Sequence, residues 1–249
     1  MGIKNIQTAH LVHDLKNPAN IVETGARSLL EKQDRYGALT ARQEKVVRRM
    51  LRSALKIKLL ANNMLEMDMA SHGITKTRQC TLRDILKSAV TEVFDVVDPQ
   101  VSDAVLGAKD LAALQEVLSQ QFIVLEADAR EFVNPIEIDD IKMSLVLTNL
   151  LSNALKYKRQ RIFVTLAAQA GNIRVSVKDD GPGIPEHFHE QIFDQYFQCV
   201  QVDGFPVRGH GLGLAGAQAL TEALGGRLYL CTCDRGAEFV VEVAYPGDK

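Results

Sequence analysis

Two glycine-bearing segments and one pair of asparagines carry the strongest chemical signal in this chain. The run Asp179-Asp180-Gly181-Pro182-Gly183-Ile184-Pro185 directly follows a stretch that alternates like a strand, and Gly209-His210-Gly211-Leu212-Gly213-Leu214 comes later, just before a helical pattern. Glycines let the backbone approach a ligand closely, and a helix start after such a loop presents unpaired N–H groups to phosphate oxygens. A carboxylate at a strand end, here Asp179, can accept a hydrogen bond from the exocyclic amine of adenine. Either glycine cluster alone is equally well explained as an ordinary turn. Upstream, Asn149-Leu150-Leu151-Ser152-Asn153-Ala154-Leu155-Lys156-Tyr157 places two asparagines four apart on one helix face. Their amide oxygens can converge on a hard cation or a phosphate, or merely tie down neighbouring loops. Asparagine is unfavourable inside an apolar helix, so the pair calls for a reason.

A second signal lies near the N-terminus, in His13-Asp14-Leu15-Lys16-Asn17-Pro18. Imidazole has an unperturbed pKa that leaves much of it neutral and nucleophilic near pH 7. The adjacent Asp14 can accept a proton from the ring and so sharpen the other nitrogen. Pro18 removes a helix hydrogen bond and loosens the segment. His10, His72, His187 and His189 have no comparable surroundings and read as ordinary surface or core residues.

The order Asn149-xxx-Asn153, Asp179-x-Gly181-x-Gly183, Phe193-xxx-Phe197 and Gly209-x-Gly211-x-Gly213 resembles the N, G1, F and G2 boxes of histidine kinases, whose nucleotide fold is shared with DNA gyrase, Hsp90 and MutL. The hexapeptide at His13 resembles the H box of the dimerisation and histidine phosphotransfer domain. Together the resemblance runs from about Lys4 to Ala244. It implies a two-component sensor histidine kinase core in which His13 is the phosphoacceptor, Asp14 its proton acceptor and Asn17 a positioner of water for dephosphorylating a response regulator. It implies ATP as the phosphoryl donor, with Asp179 recognising adenine. Asn153 with Asn149 would hold Mg²⁺, and Lys156 and Tyr157 would lie beside the nucleotide. Gly181, Gly183, Arg208, Gly209, His210, Gly211, Leu212 and Gly213 would complete the nucleotide site. A lid is expected over roughly residues 195–208, with Phe193 and Phe197 packing at its hinge.

The sequence departs from that family in three places. His210 stands where Thr or Ser is common, Lys158 stands where the N box often has Thr or Ser, and the stretch 98–121 is longer than the usual link. Val105, Leu106, Leu111, Leu114, Val117 and Leu118 in that stretch suggest one inserted amphipathic helix. Its bland role is to cover an edge of the domain; its functional role would be to dock a partner or the helical bundle. A competing reading of the whole chain is a dimeric, nucleotide-binding signalling scaffold with little or no turnover, supported by His210 and the insertion. An ATPase or serine kinase of the same fold is a third, which the H box opposes.

These residues need elements to hold them. Helical periodicity runs from Lys4 to about Lys32 and again from Ala41 to about Ala70, broken around Arg35-Tyr36-Gly37, with Thr40 as N-cap and Glu44 nearby. Two such helices form an antiparallel hairpin, and Val47, Met50, Leu51, Leu55, Leu59, Met64 and Leu65 exceed what one partner helix can hide, so a homodimeric four-helix bundle is expected. Beyond Ser71-His72-Gly73 the pattern becomes mixed: helices over 82–97, 143–156 and 211–224, and strands over 162–166, 173–177, 227–232 and 238–244. The expected fold class is α+β, a helical hairpin over residues 1–72 followed by an α/β two-layer sandwich over 73–249.

Composition agrees. A formal net charge of −2 gives no cationic face for nucleic acid, and no apolar run approaches the roughly 20 residues of a membrane span. The reading is a cytoplasmic protein, or one tethered to a membrane through a region outside this chain, whose sensory input comes from elsewhere. The four cysteines, Cys80, Cys199, Cys231 and Cys233, are expected as reduced thiols, the last two on one face of a strand.

Overall fold

The computed structural model describes residues 3–71, 75–169, 171–194, 197, 211, 213–231, 233 and 235–245. The chain opens with α1 (Ile3–Glu31), a single turn α2 (Gln33–Tyr36) and α3 (Ala41–Ser71). Gly37, at φ +82°, makes the reversal between them. The start of α3 is a capping box: Gln43 N–H donates to Thr40 Oγ1 at 3.3 Å while Thr40 N–H donates to Gln43 Oε1 at 2.9 Å. The reciprocal partner is thus Gln43 rather than Glu44, which instead pairs with Arg48 one turn on at 2.7 Å.

The helices pack along a narrow seam. Val12, Ala19 and Ala26 recur every seventh residue on α1, facing Val47, Leu51, Ala54 and Ala61 on α3. A seven-residue period with small side chains gives close, left-handed helix pairing. Across it, Lys58 Nζ donates to Glu23 Oε2 at 2.6 Å. Burial works against ionising Glu23, but Lys58 and Arg27 outweigh it and hold its carboxyl below the usual range. Leu11, Leu15, Val22, Met50, Ile57 and Met64 remain exposed.

The rest of the chain builds the α/β domain: β1 (Arg78–Cys80), α4 (Leu82–Val97), α5 (Pro99–Gly107), α6 (Leu111–Ser119), β2 (Ile123–Ala127), β3 (Ile136–Ile138), α7 (Asp140–Tyr157), β4 (Ile162–Gln169), β5 (Asn172–Asp179), α8 (Gly213–Ala223), β6 (Arg227–Cys231) and β7 (Glu238–Ala244). The five-stranded sheet has the order β2-β4-β5-β7-β6, with β2 parallel to β4 and every other pair antiparallel. β1 and β3 form a separate antiparallel pair. Strand alternation sends Ile162, Val164, Leu166, Ile173, Val175, Val177, Phe239, Val241 and Val243 into the core beneath α4, α7 and α8. The opposite face carries Arg174, Tyr229 and Glu242, which bond to one another at the surface.

The stretch 98–121 forms two helices, not the single one expected. Asp98 caps α5 by accepting from Gln100 N–H, with Pro99 in the first helical position, and Asp110 caps α6 by accepting from Ala113 N–H at 2.8 Å. Val101, Val105, Leu114 and Leu118 are buried in the main core, whereas Leu106 is exposed. Gln115 Nε2 donates to the Leu125 carbonyl at 2.9 Å, so α6 covers the outer edge of β2.

Lys142 and Asp139 form a buried pair at 2.5 Å at the start of α7. Burial raises the Asp139 pKa, but the lysine and the N–H groups of Lys76 and Lys142 more than reverse it. Because Lys76 N–H donates to Asp139 Oδ2 at 2.9 Å, the same carboxylate fastens the segment entering the domain to the head of α7.

Candidate functional site

The last turns of α7, the end of β5 and the start of α8 meet on one side of the domain. On α7, Asn149 is buried and donates Nδ2 to the Leu145 carbonyl one turn back at 3.0 Å. Its Oδ1 faces α8, where a Cβ on Gly213 would come within 3.3 Å of it. Glycine at this position therefore lets the two helices close around the asparagine. Asn153 lies one turn on, half-buried, with no side-chain hydrogen bond to the described residues. Lys156 places Nζ 4.5 Å from the Tyr157 ring centroid, a cation–π contact at the end of the helix.

Asp179 ends β5 with only 5 % of its surface exposed. Gly181 N–H donates to its Oδ1 at 2.8 Å. Burial raises the Asp179 carboxyl above the ordinary range, opposed by the N–H groups of Gly181 and Ala237 and reinforced by neighbouring Asp180. Gly181 has no room for a side chain: a Cβ would collide with the Tyr157 carbonyl and lie 2.6 Å from Asp179 Oδ1. Gly183, at φ +76°, passes against the Gly236 carbonyl. After it, Phe193 meets Phe239 edge-on at 6.3 Å, and Phe197 packs on Phe188 at 5.4 Å, so both box aromatics are packing residues.

The structure therefore brings Asn149, Asn153, Lys156, Tyr157, Asp179, Gly181, Gly183 and Gly213 to the meeting of these three elements. Gly211 stands two residues before α8 at φ +66°, so the helix begins at Gly213 and not at Gly211. Arg208, Gly209, His210 and Leu212 lie outside the described residues, as do His72, Cys199 and, apart from Phe197, all of residues 195–208 of the expected lid.

His13 sits apart, on α1, with 71 % of its side chain exposed. Asn17 Nδ2 is 3.3 Å from its Nδ1, and Asp14 Oδ1 is 3.6 Å from the same nitrogen. Both neighbours crowd Nδ1, so Nε2 is the nitrogen left outward. Among the described residues, no group of α7, β5 or α8 bonds to the ring.

Sequence reasoning missed two residues that shape the pocket. Gly236, at φ +76°, runs so close to the Asp179 carbonyl that no Cβ fits. The only local clue was Arg235-Gly236 as a turn between strands. Asp180 accepts from the backbone N–H groups of Arg159, Gln160 and Arg161. Lys158, one of the departures from the family pattern, reaches to the Gln121 carbonyl at 3.0 Å and lies over the Phe122 ring. The two strand-borne cysteines also differ from expectation: β6 ends at Cys231, and Cys233 lies beyond it with Sγ 3.2 Å from the Gly236 carbonyl. Cys231 and Cys233 are half-buried free thiols, as is Cys80, whose pKa burial pushes up to about 11. No helix among the described residues is long and apolar enough to cross a membrane.

Residues 138–247 match the family described as histidine kinase-, DNA gyrase B-, and HSP90-like ATPase. Among curated relatives, the adaptive-response sensory kinase SasA of Microcystis aeruginosa is 27 % identical over 214 residues, covering 76 % of this chain and 55 % of its own. The sensor histidine kinase YkoH of Bacillus subtilis is 25 % identical over 86 % of this chain and 41 % of its own. The chain thus spans about half the length of these relatives. The crystal structure of full-length ShkA in complex with AMPPNP matches 96 % of this chain and 45 % of that one, with a TM-score of 0.62 at 25 % identity. The chain therefore carries a domain of the histidine kinase-, DNA gyrase B-, and HSP90-like ATPase family and resembles the core of a two-component sensor histidine kinase.

Proposed function

We propose that this chain is the catalytic core of a sensor histidine kinase, which moves the γ-phosphoryl group of ATP to His13 and from there to an aspartate of a response regulator. The observation that carries the reading is the joint placement of a buried carboxylate, Asp179, a glycine path with no room for side chains, and the Asn149–Gly213 approach on one side of a sandwich reached from a hairpin bearing an exposed histidine. Buried Asp179 supplies a fixed acceptor for the adenine amine. Gly211 and Gly213 lead the backbone into α8, whose first N–H groups receive phosphate oxygens.

The donor set fits Mg²⁺. Asn153 is uncommitted and half-buried, Asn149 has its nitrogen tied back and its oxygen turned toward α8, and a hard ion that keeps waters and phosphate oxygens needs only one or two protein oxygens. When bound, the ion neutralises charge on the phosphates. The protein's own part is positioning. His13 Nε2 attacks the γ-phosphorus in line, the N–P bond forms as the bond to the β-bridging oxygen breaks, and ADP leaves. Asp14 takes the Nδ1 proton of the resulting imidazolium after a small rotation from 3.6 Å. In the reverse sense, Asn17 positions water when a phosphorylated regulator docks at His13.

The exposed stripe of Leu11, Leu15, Val22, Met50, Ile57 and Met64 supports pairing of two hairpins into a homodimeric bundle, with the hairpin as residues 1–72 and the ATP-binding domain as 73–249. Incubation with γ-labelled ATP and Mg²⁺ tests the central claim. An acid-labile phosphate that disappears in His13→Gln, with nucleotide binding retained, is the expected result; label persisting in that variant would move the acceptor elsewhere.

A further inference from the structure

The geometry points to Asp180 as a positioning residue that sets the spacing between the two walls of the nucleotide pocket. This rests on the nucleotide reading given above. Asp180 lies between Asp179 and Gly181 in sequence but does different work. Its Oδ1 accepts from Arg159 N–H at 2.8 Å and Gln160 N–H at 2.9 Å; its Oδ2 accepts from Gln160 N–H at 3.1 Å and Arg161 N–H at 3.1 Å. One carboxylate thus gathers three consecutive amides, those that leave α7 once Lys158 N–H has closed the helix on Ala154. Burial raises the Asp180 pKa, but these three N–H groups outweigh it, so the clamp is ionised below the ordinary carboxylate range.

The pull has a visible result. It draws the end of β5 onto the end of α7 until Gly181 lies against the Tyr157 carbonyl with no space for a Cβ. Asn153, Lys156 and Tyr157 stand on one side of that contact, and Asp179, Gly181 and Gly183 on the other. Lys158 braces the same loop from behind by donating to the Gln121 carbonyl. Hydrogen bonds to an ionised acceptor are the strong ones, and four of them at one carboxylate fix a distance that neither glycine nor asparagine could hold alone.

Asp180→Asn in the full chain tests this. The substitution keeps shape, removes the charge and turns an NH₂ group toward an N–H it cannot accept. Titration with MgATP and with MgADP should show both affinities falling on the order of tenfold and by the same factor, since the adenine wall is what moves. The autophosphorylation KM should rise in step, with kcat at saturating ATP within about twofold of the unaltered chain. Amide hydrogen exchange at residues 159–161 should accelerate without nucleotide. Arg159→Pro provides a second variant, because Lys158 already has the extended ψ of 145° that precedes proline and only one of the three donors is lost; a smaller shift in the same direction is expected. A folded Asp180→Asn chain with fast exchange at 159–161 but unchanged nucleotide affinity would overturn the inference, as would a fall in kcat at constant KM. If the unaltered chain bound neither nucleotide, the nucleotide reading itself would fail, and this inference with it.

Discussion

The hairpin and the α/β domain are stabilised in opposite ways. The domain buries Phe94, Phe132, Met143, Leu147, Leu150 and many β-branched residues in one continuous core, so its fold is complete within its own residues. Among its described side chains, the hairpin buries Val12, Val47, Leu51 and a row of alanines, while Leu11, Leu15, Val22, Met50, Ile57 and Met64 are exposed. Free energy from burial scales with apolar area, at roughly 25 cal/mol per Å², and alanines supply little. A domain with one continuous core and a hairpin with a narrow seam therefore differ in where their stability resides. The domain's is internal; in the proposed dimer the hairpin's would come from the second hairpin that covers its outer face.

The largest effect should follow from Gly236→Ala. At φ +76° and with no space beside the Asp179 carbonyl, an added methyl group must displace the end of β5, costing on the order of 3–5 kcal/mol. The α/β domain should melt early and lose nucleotide binding, while the hairpin keeps its helicity by circular dichroism. If both regions failed together, the separation drawn here would be wrong. Ile57→Asp probes the other side. The chain should become a monomer by light scattering at micromolar concentration, and the melting of the domain should not change. A dimer that survives this change places the interface on another face.

Asp179→Asn separates function from stability within the domain. Losing a charge-assisted bond to adenine should weaken ATP binding by about 1.5–3 kcal/mol, read by titration calorimetry. The folded state raises the Asp179 pKa, so its ionisation penalises folding above the unfolded value and the penalty vanishes at low pH where both states are protonated. The nucleotide-free variant should therefore melt higher than the parent at pH 7, with the difference shrinking as pH falls. An equal shift at all pH values would show that burial of the charge is not its cause.

The smallest effect belongs to the hairpin pair. Glu23 has a lowered pKa, so its contribution is present above the unfolded carboxylate range and lost as pH falls through the folded value. Because Lys58 and Glu23 are partly exposed, Glu23→Gln should cost the hairpin no more than about 1 kcal/mol at neutral pH and nothing at strongly acid pH. A larger cost would mean that the seam relies on this pair more than its exposure implies.

How much of this was legible in the sequence follows from the range over which each residue acts. α4 was expected at 82–97 and is found there, because Thr81 caps its start and Asp98-Pro99 ends it within a few residues. β7 likewise matches 238–244, a short run rich in β-branched residues. β1 and β3 are only three residues each, too short for a period to register, and they exist because they pair with each other across the domain. The single helix expected over 98–121 became two because Asp110 competes as a new cap. Of the residues that meet at the end of α7, the end of β5 and the start of α8, Asn149, Asn153, Asp179 and Gly213 were singled out from residue type and spacing. Asp180 and Gly236 were not, since the amides that one clasps and the carbonyl that the other skirts are distant in sequence.

The bond from Lys76 N–H to Asp139 also fixes the length of a tether. Ser71 ends α3 and Lys76 is already fastened to the domain, so five residue steps, at most about 17 Å fully extended, separate the two bodies. A connection this short would hold His13 and the ATP site of the proposed kinase in each other's vicinity at an effective concentration on the order of millimolar, whatever the concentration of the protein. In the proposed kinase their encounter would then be a first-order event of one assembly, independent of how many molecules share the solution.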